Sequence, residues 1–302
     1  MPAIVIDGKA VAAALREELK QTIDGMAKKP GLAAILVGDD PASHVYVANK
    51  IKACAQVGIR SFEHRMPENA MAGAVASLIK TLNNDPDVHG ILLQLPLPAG
   101  IRDQAGALVE LIAPDKDVDG LTTTNMGRLM AGLDGMVPCT PQGAMRLIHQ
   151  VETNLSGMNA VVLGRSLLFG KPMQQLLLNA DCTVTQVHSR SRDIPALIRA
   201  ADIVVAAVGR PEMVKGDWVK PGAIVIDVGI NRLPDGRLVG VLSDRDLLRA
   251  ATAVERHAPR VSEIMSPDVV KVGPDTPAHQ AAALMLELTI NSVAVVDEEG
   301  AL

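Results

Sequence analysis

GLAAILVGDDPASHVYVANKIKACAQVG, residues 31–58, reads as one strand followed by one helix. GLAAILVG (31–38) is apolar throughout, as a strand buried on both faces of a sheet must be. Asp40 then offers a carboxylate for a helix N-cap, Pro41 suits the first helical position, and Gly58 ends the helix. The pattern repeats downstream, with a helix expected over 68–83 and a strand in VHGILLQLPLP (88–98). Strand–helix–strand alternation implies a parallel sheet with helices on both faces.

A second series begins after a stretch, 100–140, whose Gly, Pro, Asp and Thr content suggests a connection between domains. It comprises NAVVLG (159–164), a helix from Pro172, CTVTQVH (182–188), a helix near 193–200, DIVVAAVG (202–209) and AIVIDVGI (223–230). These short β-branched strands predict a Rossmann-like domain. The expected fold class is therefore α/β: a parallel-sheet catalytic domain over 1–120, a Rossmann-like domain over 121–240 and a small α/β tail over 241–302.

Composition narrows the function. The chain has 302 residues, 48% of them hydrophobic, and a net charge of −5, so nucleic acid is not an expected partner. Its three cysteines, Cys54, Cys139 and Cys182, form no CxxC pair and fit free thiols in a reducing compartment. The N-terminal stretch carries acids where a signal peptide needs an apolar core, and no apolar run is long enough to span a membrane. A cytoplasmic protein is expected.

Aromatic residues are scarce: one Trp, one Tyr and two Phe. The single tyrosine, Tyr46, stands four residues before Lys50 on the first helix, beside a face expected to carry Val47, Ile51, Cys54 and Ala55 into the core. Either Lys50 is a solvated lysine lying on a tyrosine, or it is an amine desolvated enough to act as a base. Gln94 closes an otherwise apolar strand, at the sheet edge where ligands of open α/β sheets bind. A buried amide there needs a substrate, a lysine or loop backbone as partner. DKDVDG (115–120) begins like a calcium loop, with Asp115, Asp117, Asp119 and Gly120, but Met126 stands where the bidentate Glu belongs. It is an acidic turn, and the histidines show no metal-ligand spacing.

VVLGRSLLFGKPM (161–173) is a strand, a glycine turn and a helix start, neither a P-loop nor GxGxxG. Its backbone N–H groups suit a pyrophosphate. Beyond the next strand, His188, Ser189 and Arg190 stand where an NAD-binding domain carries an acid. With Arg165 they favour a 2′-phosphate, hence NADP.

YVANKIKAC, GILLQLPLP, PDKDVDG, PCTPQG, VVLGRSLLFGKPM and VIDVGINR together resemble the bifunctional methylenetetrahydrofolate dehydrogenase/methenyltetrahydrofolate cyclohydrolase family, in order and spacing, over about residues 3–240. The resemblance implies two α/β domains around a cleft, a homodimer, tetrahydrofolate derivatives as substrates and NADP as cofactor. It implies Lys50 as catalytic lysine, Tyr46 as its aromatic partner, Gln94 as the lysine-tuning amide and Asp119 as the pterin-binding acid. Nucleotide contacts fall on Gly164, Arg165, Ser166, Ser189 and Ile230.

Past GRLVG the family continues into a glycine/proline-rich stretch lining the folate and nicotinamide site, and this chain does not. Residues 241–302 instead resemble the back half of one cystathionine-β-synthase-type (CBS) repeat followed by the front half of another. That implies a fused or recombinant chain with reduced folate turnover, and an adenine nucleotide as the tail's ligand. The rival reading is a non-catalytic nucleotide-binding protein with a regulatory tail.

Overall fold

The computed structural model describes residues 4–210 and 213–228, and the backbone of 271–272 and 294–295; the side chains of residues 41, 42, 45 and 46 lie outside the description. The chain divides into two compact units, one of them Ile6–Gly229 and the other Met1–Val5 with Ile230–Leu302.

The larger unit holds two parallel sheets. The first has the order β2-β1-β3, with β1 Gly31–Val37, β2 Arg60–Met66 and β3 Gly90–Leu93. Helix α1 spans Gly8–Asp24, α2 Pro41–Val57 and α3 Ala72–Asn84. Alternate residues of β1 serve opposite faces. Ala33, Ile35 and Val37 join Val75 and Ile79 of α3 in one core layer, and Ala34 and Leu36 join Val47 of α2 in the other. That is the two-sided burial anticipated for 31–38.

Several expectations need correction. RSFEHRM (60–66) is a strand, unforeseen because it is polar: it is a sheet edge, where Ser61, Phe62, His64 and Met66 are only partly covered and the other residues are exposed. The α3 helix begins at Ala72, not 68, after a turn in which the Ala70 N–H donates to Pro67 O. Strand β3 ends at Leu93 because the prolines that follow cannot extend the ladder. Residues 100–140 are no plain linker; they carry α4 Ala105–Val109 and α5 Thr123–Met130, and α6 Cys139–Ile148 follows at once. On α2, Ala55 faces outward, and the buried line runs through Ser43, Val47, Cys54 and Val57. Lys50 lies on that line, three residues after Val47 and four before Cys54, so it points where the sheet is rather than to open solvent.

The second sheet has the order β5-β4-β6-β7: β4 Asn159–Leu163, β5 Thr183–Val187, β6 Ile203–Ala206 and β7 Ile224–Asp227, all parallel. Helix α7 spans Gly170–Asn179, two residues earlier than expected, and α8 Ile194–Arg199. In both sheets the first strand is central and the chain reverses direction across it. Each therefore has a topological switch point at its carboxyl edge, between β1 and β3 and between β4 and β6.

In the smaller unit, Lys271–Val272 (β8) pairs in parallel with Ala294–Val295 (β9). The CBS-like reading of 241–302 otherwise falls outside the described residues, as does the site expectation for Ile230. No helix among the described residues is long and apolar enough to cross a membrane.

Candidate active site

A cleft of about 450 Å3 opens at the carboxyl edge of the first sheet, lined in part by Asp40, Ser43, Lys50, Gln94, Asp119 and Cys139. Each element delivers its residue for a local reason. Asp40 caps α2, its carboxylate accepting from Ser43 N at 2.8 Å, and Gly58 ends the helix in the left-handed conformation at φ +85°. That setting of α2 turns Lys50 over the end of β3. Gln94 leaves β3 still tied to β1, donating its backbone N–H to Ile35 O at 2.9 Å.

The Gln94 side chain meets two of the three partners foreseen for it, a lysine and loop backbone. Its Nε2 donates to Leu95 O at 2.7 Å, which leaves Oε1 to accept from Lys50 Nζ at 3.4 Å. The amide is thereby oriented: its donor end is engaged by backbone and its acceptor end faces the ammonium. The Leu95–Pro96 peptide beside it is cis. Tyr46 stands one helical turn before Lys50, and its side chain lies outside the described residues.

The three aspartates of DKDVDG diverge, so they do not form the metal loop their spacing suggests. Asp115 points outward to Arg128 at 3.0 Å. Asp117 is buried, and its carboxylate accepts from Thr122 N and from Asn125 Nδ2. Asp119 alone faces the cleft. Burial holds its carboxyl above the ordinary carboxylate range; nearby Lys50 opposes the shift and Asp117 adds to it. Among the described residues none donates a hydrogen bond to it. Gly120, at φ +62°, lets the chain of 136–137 cross directly over the turn: a Cβ there would lie 2.7 Å from Met136 O. That crossing brings Pro138, Cys139 and Thr140 onto the cleft.

Cys139 and Ser43 are lining residues to which the residue-by-residue reading gave no role. Cys139 is exposed at the cleft mouth, yet its thiol turns inward and donates to Val118 O at 3.4 Å. Burial and the Asp119 carboxylate push that thiol up, which keeps it a protonated donor at neutral pH.

At the second switch point the turn after β4 is forced by packing. Gly164 has φ +122°, and a Cβ on it would stand 2.6 Å from Ala207 O at the end of β6. A Cβ on Gly170 would stand 2.3 Å from Gly164 O, so both glycines are needed for the turn to close. Ser166 Oγ accepts from Phe169 N at 3.2 Å and Gly170 N at 3.4 Å. Two of the N–H groups expected to meet a pyrophosphate are thus already engaged. Gly164 N donates to Val187 O at 2.8 Å, which sets Arg165 beside the turn His188–Ser191. Arg165, Ser189 and Arg190 are exposed, and neither arginine forms an ion pair with another described residue. Leu168, from this same turn, reaches the cleft that holds Lys50.

Residues 6–119 match the tetrahydrofolate dehydrogenase/cyclohydrolase catalytic domain, and residues 138–292 match the NAD(P)-binding domain of the same family. The chain belongs to the tetrahydrofolate dehydrogenase/cyclohydrolase family. Bifunctional protein FolD of Sphingopyxis alaskensis is 56% identical over 260 residues, covering 83% of this chain and 85% of the relative. Among solved structures, the FolD methylenetetrahydrofolate dehydrogenase/cyclohydrolase of Campylobacter jejuni aligns with a TM-score of 0.74 at 44% identity, over 78% of this chain and 85% of that one. The Trypanosoma brucei enzyme, solved with NADP cofactor and an inhibitor, aligns with a TM-score of 0.72 at 40% identity, over 77% of this chain and 81% of that one. The NAD(P)-binding match runs to residue 292, and so covers most of residues 241–302 as well.

Proposed function

We propose that this chain oxidises 5,10-methylenetetrahydrofolate with NADP⁺ and hydrolyses the methenyl product to 10-formyltetrahydrofolate, both in the cleft at the end of β1 and β3. One observation carries the reading: Lys50, Gln94 and Asp119, from three separate elements, converge on one cleft, with the amine held by the amide oxygen at 3.4 Å. A hydrolytic step at a methenyl carbon needs a group to take the proton of the attacking water. Lys50 is the amine in reach, and Gln94 keeps it aimed. Asp119, a carboxylate facing the cleft without a donor of its own, is matched to the pterin, whose amino group and ring N–H are donors.

The residues around Gly164 fit a dinucleotide. The glycine turn leaves no room for a side chain, and Arg165, Ser189 and Arg190 offer charge and hydroxyl to a 2′-phosphate. NADP⁺, when bound, supplies the hydride acceptor. Leu168, on the glycine turn, also lines the folate cleft, which places the nucleotide turn beside the folate site.

A homodimer and a CBS-like tail that takes an adenine nucleotide belong to the same proposal. For the tail, the support is its sequence and the parallel pairing of 271–272 with 294–295. The rival, a non-catalytic nucleotide-binding protein, is not favoured, because it leaves the Lys50–Gln94 contact without a use. The test adds methylenetetrahydrofolate and NADP⁺ to the purified chain and follows nicotinamide reduction, then loss of methenyl absorbance. Nucleotide binding without either signal would reverse the choice. The same assay beside a version carrying the family's glycine/proline-rich segment measures what its absence costs in rate.

A further inference from the structure

The DKDVDG turn contains one buried carboxylate to which the proposed chemistry gives no part. Asp117 is 1% exposed. It forms a parallel bridge with Ile91 of β3, and the glycine one residue earlier on that strand makes room for the turn: a Cβ on Gly90 would lie 2.4 Å from Val118. Its carboxylate collects donors from further along the chain. Thr122 N at 2.8 Å and Asn125 Nδ2 at 3.0 Å both donate to the same oxygen, Oδ2, while Gly120 N donates to Asp117 O at 3.0 Å. Asn125 is itself fully buried, and its Nδ2 also donates to Pro114 O at 2.8 Å. The turn is thus fastened to β3 at one end and to the start of α5 at the other. Directly beyond the bridge the chain turns, so that Asp119 comes two residues after Asp117 just as Gln94 comes three residues after Ile91.

We propose that Asp117 is a positioning residue for the folate reaction, fastening the Asp119 loop to β3 so that Asp119 stands opposite Lys50 and Gln94. This rests on the proposed function for what Asp119 binds, but the fastening can be tested without substrate. The charged and titratable groups around Asp119 are Lys50 from α2, Cys139 from the start of α6 and Asp117 on its own loop, with Asp40 lining the same cleft. Asp117 contributes negative charge as well as hydrogen bonds, and two variants separate these. In Asp117→Asn the amide oxygen can take both donors that now meet at Oδ2, so the fastening survives and the charge is lost. In Asp117→Ala both are lost.

The experiment follows the Asp119 carboxyl by NMR titration of aspartate-labelled full chain, alongside folate KM and kcat. Asp117→Asn should lower the Asp119 midpoint with folate KM near wild type. Asp117→Ala should lower it further, as the freed loop lets water reach the carboxyl, and raise folate KM roughly tenfold, the equivalent of about 1.4 kcal/mol. Asp115→Asn, on the same turn but facing solvent, should move neither. Equal midpoints and equal KM in the Asn and Ala variants would overturn the proposal. If Asp117→Ala does not fold, Asn125→Ser decides: it withdraws one donor and leaves the charge, so a raised KM supports the fastening and a wild-type KM overturns it. Should the wild-type chain fail to turn over folate, the proposed function fails, while the titration still judges the fastening.

Discussion

Replacing Lys50 with methionine separates its proposed proton-transfer role from its packing. Methionine keeps an unbranched stem of similar reach, so the apolar contacts beside Val47 and Cys54 persist. What disappears is the ammonium and its contact with Gln94. At 3.4 Å that contact is near the outer limit of a hydrogen bond, which places its loss at the lower end of the usual range, about 0.5 kcal/mol. Gln94 keeps Leu95 O at 2.7 Å and stays in place. Thermal unfolding should therefore shift by no more than about 2 °C for a chain of this size. The catalytic loss should be far larger. A positioned acid–base group contributes roughly a hundredfold to ten-thousandfold, or about 2.7–5.4 kcal/mol of barrier. Removing the cation that holds Asp119 down should also push that carboxyl further up. The assay is methenyl hydrolysis at saturating substrate, with NADP⁺ affinity measured alongside and expected unchanged, since Lys50 sits on the other sheet's helix. A variant hydrolysing methenyltetrahydrofolate within about threefold of wild type would return Lys50 to the role of a solvated lysine and refute the reasoning.

Gly164→Ala should unfold more easily by roughly 1–3 kcal/mol or more and bind NADP⁺ weakly, because its Cβ would meet backbone at 2.6 Å. Gly157→Ala, also at positive φ but with open space around it, should show the strain without the nucleotide defect; identical behaviour of the two on calorimetry and nucleotide titration would discount the close approach. NADP⁺ should bind more tightly than NAD⁺, and Arg190→Ala should weaken NADP⁺ by roughly tenfold while sparing NAD⁺; equal dissociation constants for the two nucleotides in the wild type would count against the 2′-phosphate site. Asp119→Asn should abolish folate turnover yet stabilise the fold above about pH 4. The sign follows from its folded pKa lying above the ordinary 3.8: the stability its neutral form provides at low pH is lost as pH rises through the folded value, and the amide never ionises. Urea midpoints across pH that track the wild type at every point would show that burial imposes no such penalty.

Much of the architecture was legible because it depends on local signals. The uninterrupted apolar run 31–38 could only be a strand covered on both sides, and Asp40, Pro41 and Gly58 bracket α2 where the chain places it. The edge strand β2 was not legible, since a strand with one open side has no need of apolar residues and RSFEHRM reads as loop. The short helices within 100–140 were hidden for a related reason: one turn or two of helix is held by tertiary packing and caps, not by periodicity. For the site, residue types and spacing singled out Lys50, Gln94 and an acidic turn, but left each with a bland alternative. Only the tertiary structure brings them to one cleft, because Lys50 on α2 meets Gln94 just past β3, 44 residues away in sequence. It also tells the three aspartates apart. Their alternation is the same in sequence, and what sends Asp115 to solvent, Asp117 into the core and Asp119 to the cleft is the bridge to Ile91 and the donors of Thr122 and Asn125. Such differences arise from contacts between distant segments, and a spacing pattern carries no record of them.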